Sequence, residues 1–117
     1  MPTPKQSQQP TVPATIRTYL DAQAVGQSDV AVRTFAAGAV VTDQGETFTG
    51  VDDIGAFLNR ASTEFTYTTE ETGAEKIDDQ HWVVDVRLEG DFPGGVADLR
   101  YRFTVVDEQI AELFIGA

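Results

Sequence analysis

Few groups in this chain can do chemistry. Its 117 residues include no cysteine and one histidine, His81, which excludes thiolate catalysis, disulfides and cysteine-bound zinc. One histidine and scattered carboxylates show no metal-ligand spacing, so no metal and no cofactor is expected. Carboxylates and phenols remain, beside hydroxyls, lysines and arginines. A carboxylate in a partly apolar pocket can take a proton, and a phenol can stabilise a developing enolate oxygen. Asp43, closing the run Ala39-Val40-Val41-Thr42, and Tyr19 are of these types. Each also has a plainer reading. Asp43 suits a strand-end residue capping the turn at Gln44-Gly45. Tyr19 suits a core aromatic with its hydroxyl satisfied. His81 begins a strand just ahead of its inward set and is expected to be exposed. Asp85/Arg87 and Asp98/Arg100, each two apart, are expected to be solvated cross-strand pairs.

These residues need elements to position them. Residues 1–11, rich in Pro, Gln, Ser and Thr, lack the apolar side chains that offset ordering entropy and are expected to be a disordered tail. The domain is expected over 12–117. Ile16, Tyr19, Leu20 and Gln23/Ala24 follow the spacing of one helix face, from about Val12 to Val25, with Gly26 as the left-handed residue that stops it. A second helix is expected from an N-cap at Ser28 to Gly38, burying Val32 and Phe35. Ala39–Thr42 and Thr47–Thr49 read as short strands around a turn. Ile54, Phe57, Leu58, Ala61 and Phe65 form the clearest amphipathic pattern, a third helix with Asp52 and Asp53 at its positive end.

The second half alternates with period two. Phe65–Thr69 is rich in strand formers. Trp82, Val84, Val86 and Leu88 should face a core, as should Ala97, Leu99, Tyr101, Phe103 and Val105; Ile110–Ile115 is a last strand. Helices followed by strands indicate α+β, with the helices on one face of a curved antiparallel sheet. The net charge of −11 repels phosphate backbones, so nucleic-acid binding is not expected, and no apolar run is long enough to span a membrane. The amino terminus has no apolar leader segment, and a cytoplasmic location is the default expectation.

Several segments resemble the nuclear transport factor two-like superfamily, in its ketosteroid isomerase and SnoaL-like polyketide cyclase branch. They are Tyr19 to Asp29 (YLDAQAVGQSD), Phe35 to Asp43 (FAAGAVVTD), Thr49 to Ile54 (TGVDDI), Arg100 to Phe103 (RYRF) and Glu112 to Gly116 (ELFIG). The resemblance runs from about residue 12 to the end. It implies a cone-shaped roll of the cystatin type, with the sheet wrapped around three helices. It also implies an apolar pocket for a small molecule and pairing of two copies through the outer sheet face. Asp43 and Tyr19, 24 positions apart, look like the isomerase proton shuttle and oxyanion donor. Phe35, Phe57, Leu58, Trp82, Leu99 and Tyr101 are the expected pocket wall. Leu99 stands where the isomerases carry a second oxyanion donor, a protonated acid; Asp98, one residue away, belongs to the other strand face. Two functions follow: a proton-transfer isomerase or cyclase, or a non-catalytic ligand-binding or dimerising module.

Overall fold

The computed structural model describes residues 12–64 and 66–116. The expected tail, and Phe65 as helix or strand residue, lie outside the described residues. The order is α1 (Ala14–Ala24), α2 (Ser28–Val32), β1 (Phe35–Asp43), β2 (Glu46–Thr49), α3 (Gly50–Thr63), β3 (Tyr67–Lys76), β4 (His81–Gly90), β5 (Val96–Val106) and β6 (Gln109–Gly116). The six strands form one sheet in the order β2-β1-β6-β5-β4-β3. Four neighbour pairs are antiparallel, as expected, and β1 runs parallel to β6. That parallel pair is possible because α3 and four strands separate its members in sequence, the long connection that parallel strands need.

α1 ends as its sequence predicts. Gly26 takes φ +78°, which a Cβ would disfavour, and the Gln27 and Gly26 amides donate back to the Ala22 and Gln23 carbonyls. α2 is shorter than expected. Ser28 lies in its first turn, preceded by Gln27 at the cap position, and its hydroxyl faces Asn59 Oδ1 at 3.5 Å. The helix stops at Val32 because Phe35 is already strand, opposite Ile110 of β6. Between β1 and β2 the chain reverses through Gln44 and Gly45, both at positive φ, the geometry that matches strand twist.

Two rows of side chains cross the inner face of the sheet. One runs Trp82–Phe103–Leu113–Val41–Phe48 and carries the core. The next runs Ala74–Val84–Tyr101–Ile115–Asp43. Ile16, Tyr19 and Leu20 of α1 and Ile54, Phe57 and Leu58 of α3 close over these rows in one apolar cluster. At one edge, β3 is tied to α1 by a two-pronged bond from Arg17 to Glu71, at 2.6 and 2.9 Å. No helix among the described residues is long and apolar enough to cross a membrane.

Candidate functional site

Tyr19 faces inward from α1 and is 1% exposed. Its ring meets Phe35 and Phe103 edge-on, with centroids 5.6 and 5.7 Å away. Those contacts hold the ring, and the residue borders the space between α1 and β3–β5. The fully enclosed side-chain polar atoms left unpaired among the described residues are Gln23 Oε1 and Trp82 Nε1; neither the Tyr19 nor the partly buried Tyr101 hydroxyl has a hydrogen-bond partner there either. Both border a cavity of about 30 Å³ between α1 and the sheet, together with Gln23, Tyr67, Thr69 and Leu88. A space of that size holds one or two waters. Burial pushes the Tyr19 phenol well above its ordinary value, with Tyr101, Tyr67 and Asp43 acting in the same direction. Tyr101 is raised for the same reasons. Both phenols therefore stay protonated, as donors, through the physiological range.

Asp43 ends β1 in the same inward row as Tyr101, two strands away across Ile115. At ordinary strand spacing that is about 10 Å between Cα atoms. The carboxylate is half-buried and makes no hydrogen bond to the turn at Gln44-Gly45, which positive φ values already form. Burial raises its pKa first; Glu46, its partner across the hairpin, adds to this, and Arg60 of α3 opposes it. Arg60 lies over the Phe48 ring at 5.8 Å, and Phe48 in turn stacks on Phe57 at 4.5 Å. The field of Asp43 reaches both Tyr19 and Tyr101, although its side chain does not border the small cavity.

Of the expected pocket wall, Tyr101 borders the cavity. Phe35, Phe57, Leu58 and Trp82 are core side chains, between 1% and 8% exposed, that do not border it. Leu99 is partly buried against the core beside Tyr101, opposite Val86. Asp98 is exposed on the outer face, as its one-residue offset requires. The wall residues missed by the sequence reading are chiefly Gln23, Tyr67 and Thr69. Gln23 shows on the helix face of α1, and Tyr67 and Thr69 alternate with Thr68, so their positions were readable but not their importance.

Gln23 and Tyr67 also form a partition. Gln23 Nε2 donates to the Leu58 carbonyl at 3.0 Å, and the Tyr67 hydroxyl donates to the Ala61 carbonyl at 3.0 Å. Outside them a cleft of about 280 Å³, bordered by Gly26, Ser62, Thr63 and Thr66, shares Gln23, Ala24 and Tyr67 with the inner cavity. His81 is exposed at the far end of β4, its Nδ1 2.7 Å from Asp78. Asp85 pairs with Arg100 across the outer face at 2.9 Å. A larger open cleft, about 650 Å³, lies beside Pro13, Thr15 and Val106, near the start of α1 and away from the phenols.

No family model and no curated protein sequence matches the chain. Solved structures do. A candidate polyketide cyclase from Sinorhizobium meliloti is 32% identical, covering 90% of this chain and 95% of its own, with a TM-score of 0.83. A Catenulispora acidiphila protein with a ketosteroid isomerase-like fold, in complex with trimethylamine, is 18% identical over 92% of this chain and 87% of its own, TM-score 0.80. A cystatin-fold protein from Novosphingobium aromaticivorans is 11% identical over 88% and 95%, TM-score 0.76. The last two share the fold; the first shares enough sequence over nearly the whole of both chains to settle kinship. The chain belongs to the nuclear transport factor two-like superfamily, alongside its ketosteroid isomerase-like and polyketide cyclase-type members.

Proposed function

We propose that this is a SnoaL-like pocket protein that binds a small apolar molecule by an oxygen atom, with Tyr19 as the principal hydrogen-bond donor. The observation that carries this is Tyr19: a side chain 1% exposed that borders a cavity, with its hydroxyl unpaired among the described residues. A fold seldom leaves such a donor empty, because a buried unpaired polar group costs about 1–3 kcal/mol. A ligand oxygen between Tyr19 and Tyr101 satisfies both phenols. The inner cavity admits a ring once Tyr67 swings away from α3, which joins it to the outer cleft while Gln23 keeps its bond to the Leu58 carbonyl. That opening breaks one hydrogen bond, contributing roughly 1 kcal/mol.

Proton transfer next to a carbonyl is the second reading, and it requires the ligand to reach from Tyr19 to Asp43, which does not border the closed cavity. Asp43, raised by burial, is a stronger base than a solvated carboxylate. It would take the proton from carbon; the C–H electrons would form a carbon–carbon double bond, and the charge moving onto oxygen would be held by Tyr19. A binding role without turnover is favoured by Leu99, an apolar residue beside the phenols where a second acidic donor would strengthen the oxyanion site. Exchange of the α-protons of 2-tetralone in D₂O, followed by NMR, separates the two. Exchange accelerated by wild type and lost in Asp43→Asn supports catalysis. Binding of 2-tetralone with no acceleration makes the protein a binder.

The outer sheet face is proposed to pair with a second copy. Phe114 is 46% exposed there, and Val83 and Thr104 border a groove of about 380 Å³ with Arg102 and Glu112. Sedimentation should show a dimer for wild type and a monomer for Phe114→Lys; a wild-type monomer would rule the pairing out.

A further inference from the structure

Gln23 carries information about the ligand that Tyr19 does not. Its Nε2 is committed to the Leu58 carbonyl, which fixes the amide's orientation because a carbonyl can only accept. Its Oε1 is thereby turned away from Leu58, and it is buried without a partner among the described residues. Tyr19 and Gln23 are four residues apart on α1, so they are neighbours on one face of the helix, and both border the same cavity. One helical turn therefore presents a phenol that needs an acceptor beside an amide oxygen that needs a donor. A plain ketone satisfies the first and leaves the second empty. A hydroxyl satisfies both at once: its oxygen accepts from Tyr19 and its hydrogen goes to Gln23.

Resting on the pocket proposed above, we infer that Gln23 is a specificity-determining residue that selects ligands ending in an enol, phenol or ring hydroxyl over those ending in a ketone. In the empty protein its amide nitrogen holds α3, and its oxygen waits against the space that the ligand's hydroxyl would fill.

The test uses 2-naphthol, which accepts and donates, and 2-tetralone, a bicyclic ketone of similar size that accepts only. Binding of both is measured by NMR titration of the full chain, wild type and Gln23→Met, with Tyr19→Phe as reference. The preference for 2-naphthol, expressed as a ratio of affinities, should fall about fivefold in Gln23→Met, the worth of one neutral hydrogen bond. Taking a ratio of ratios removes any general loosening of the pocket by the substitution. A preference unchanged in Gln23→Met, or no preference in wild type, overturns the role of Gln23; the pocket stands in that case if Tyr19→Phe weakens both compounds. Failure of both compounds to bind wild type overturns the role of Gln23 and the pocket together. If Gln23→Met does not fold, the wild-type ratio alone decides, since equal affinities refute selection and a clear preference for 2-naphthol supports it.

Discussion

Replacing Tyr19 by phenylalanine separates a functional hydroxyl from a structural one. In most cores a buried tyrosine hydroxyl is paired, and removing it loses a hydrogen bond and strands its partner, at a cost of about 1–1.5 kcal/mol. Here the hydroxyl has no partner among the described residues, and the ring is held by Phe35 and Phe103, contacts that phenylalanine keeps. Removing it relieves an unpaired buried dipole. An ordered water in the cavity of about 30 Å³ would recover part of that penalty in wild type. The expected change is thus between zero and a gain of about 1 kcal/mol, or up to roughly 4 °C in Tm for a domain of this size. Urea unfolding and a thermal scan both measure it. Affinity should move the other way, with 2-naphthol weakened about fivefold to tenfold. A stability loss of 1 kcal/mol or more would refute the reasoning, because it would mean that the hydroxyl is already bonded inside the protein.

Three further outcomes are expected. Asp43 has a raised folded pKa, so its favourable contribution is present below the usual carboxylate value near 3.8 and is lost as pH rises through the folded value. Asp43→Asn should therefore be at least as stable as wild type at pH 7, with the gap closing in acid; a marked loss at neutral pH would show a capping role instead. Arg17→Met should destabilise by about 1 kcal/mol, since the partly buried two-pronged bond to Glu71 joins α1 to β3; a double-mutant cycle with Glu71→Gln checks that the loss belongs to the pair. Gly90→Ala should cost about 1–3 kcal/mol in urea unfolding, because a Cβ there overlaps the Thr66 carbonyl and Tyr67.

How much of this was legible from sequence depended on how strongly each element is buried. α3 was plain because Ile54, Phe57 and Leu58 face one core. β4 was plain because Trp82, Val84 and Val86 alternate against outward residues. β3 was seen only in its first residues. It is an edge strand that stays largely wet, so Glu70, Thr72 and Glu75 carry no hydrophobic alternation, and a register shift near Gly73 breaks the period. Val32 and Phe35 are spaced like a helix face, yet pairing with β6 places Phe35 in a strand. The site follows the same division. The inward positions of Tyr19 and Tyr101 were readable from helix spacing and strand alternation, while the pairing of Tyr19 with Asp43 came from the family resemblance. The assignment of Phe57 and Trp82 to the wall was not secured by pattern, because apolar periodicity marks a side chain as inward but does not tell core from cavity. Gln23 was hidden because an unpaired amide oxygen is a property of packing alone.

The claim at the centre is that one polar end of a ligand sits between Tyr19 and its neighbours. A crystal structure of the chain soaked with 2-naphthol tests it most directly. The naphthol oxygen should lie about 2.7 Å from the Tyr19 hydroxyl, with Gln23 Oε1 as its second partner and the ring running into the opened outer cleft. A naphthol seated elsewhere, for instance in the surface cleft beside Pro13 and Val106, with the Tyr19 hydroxyl still facing a closed cavity, would contradict it.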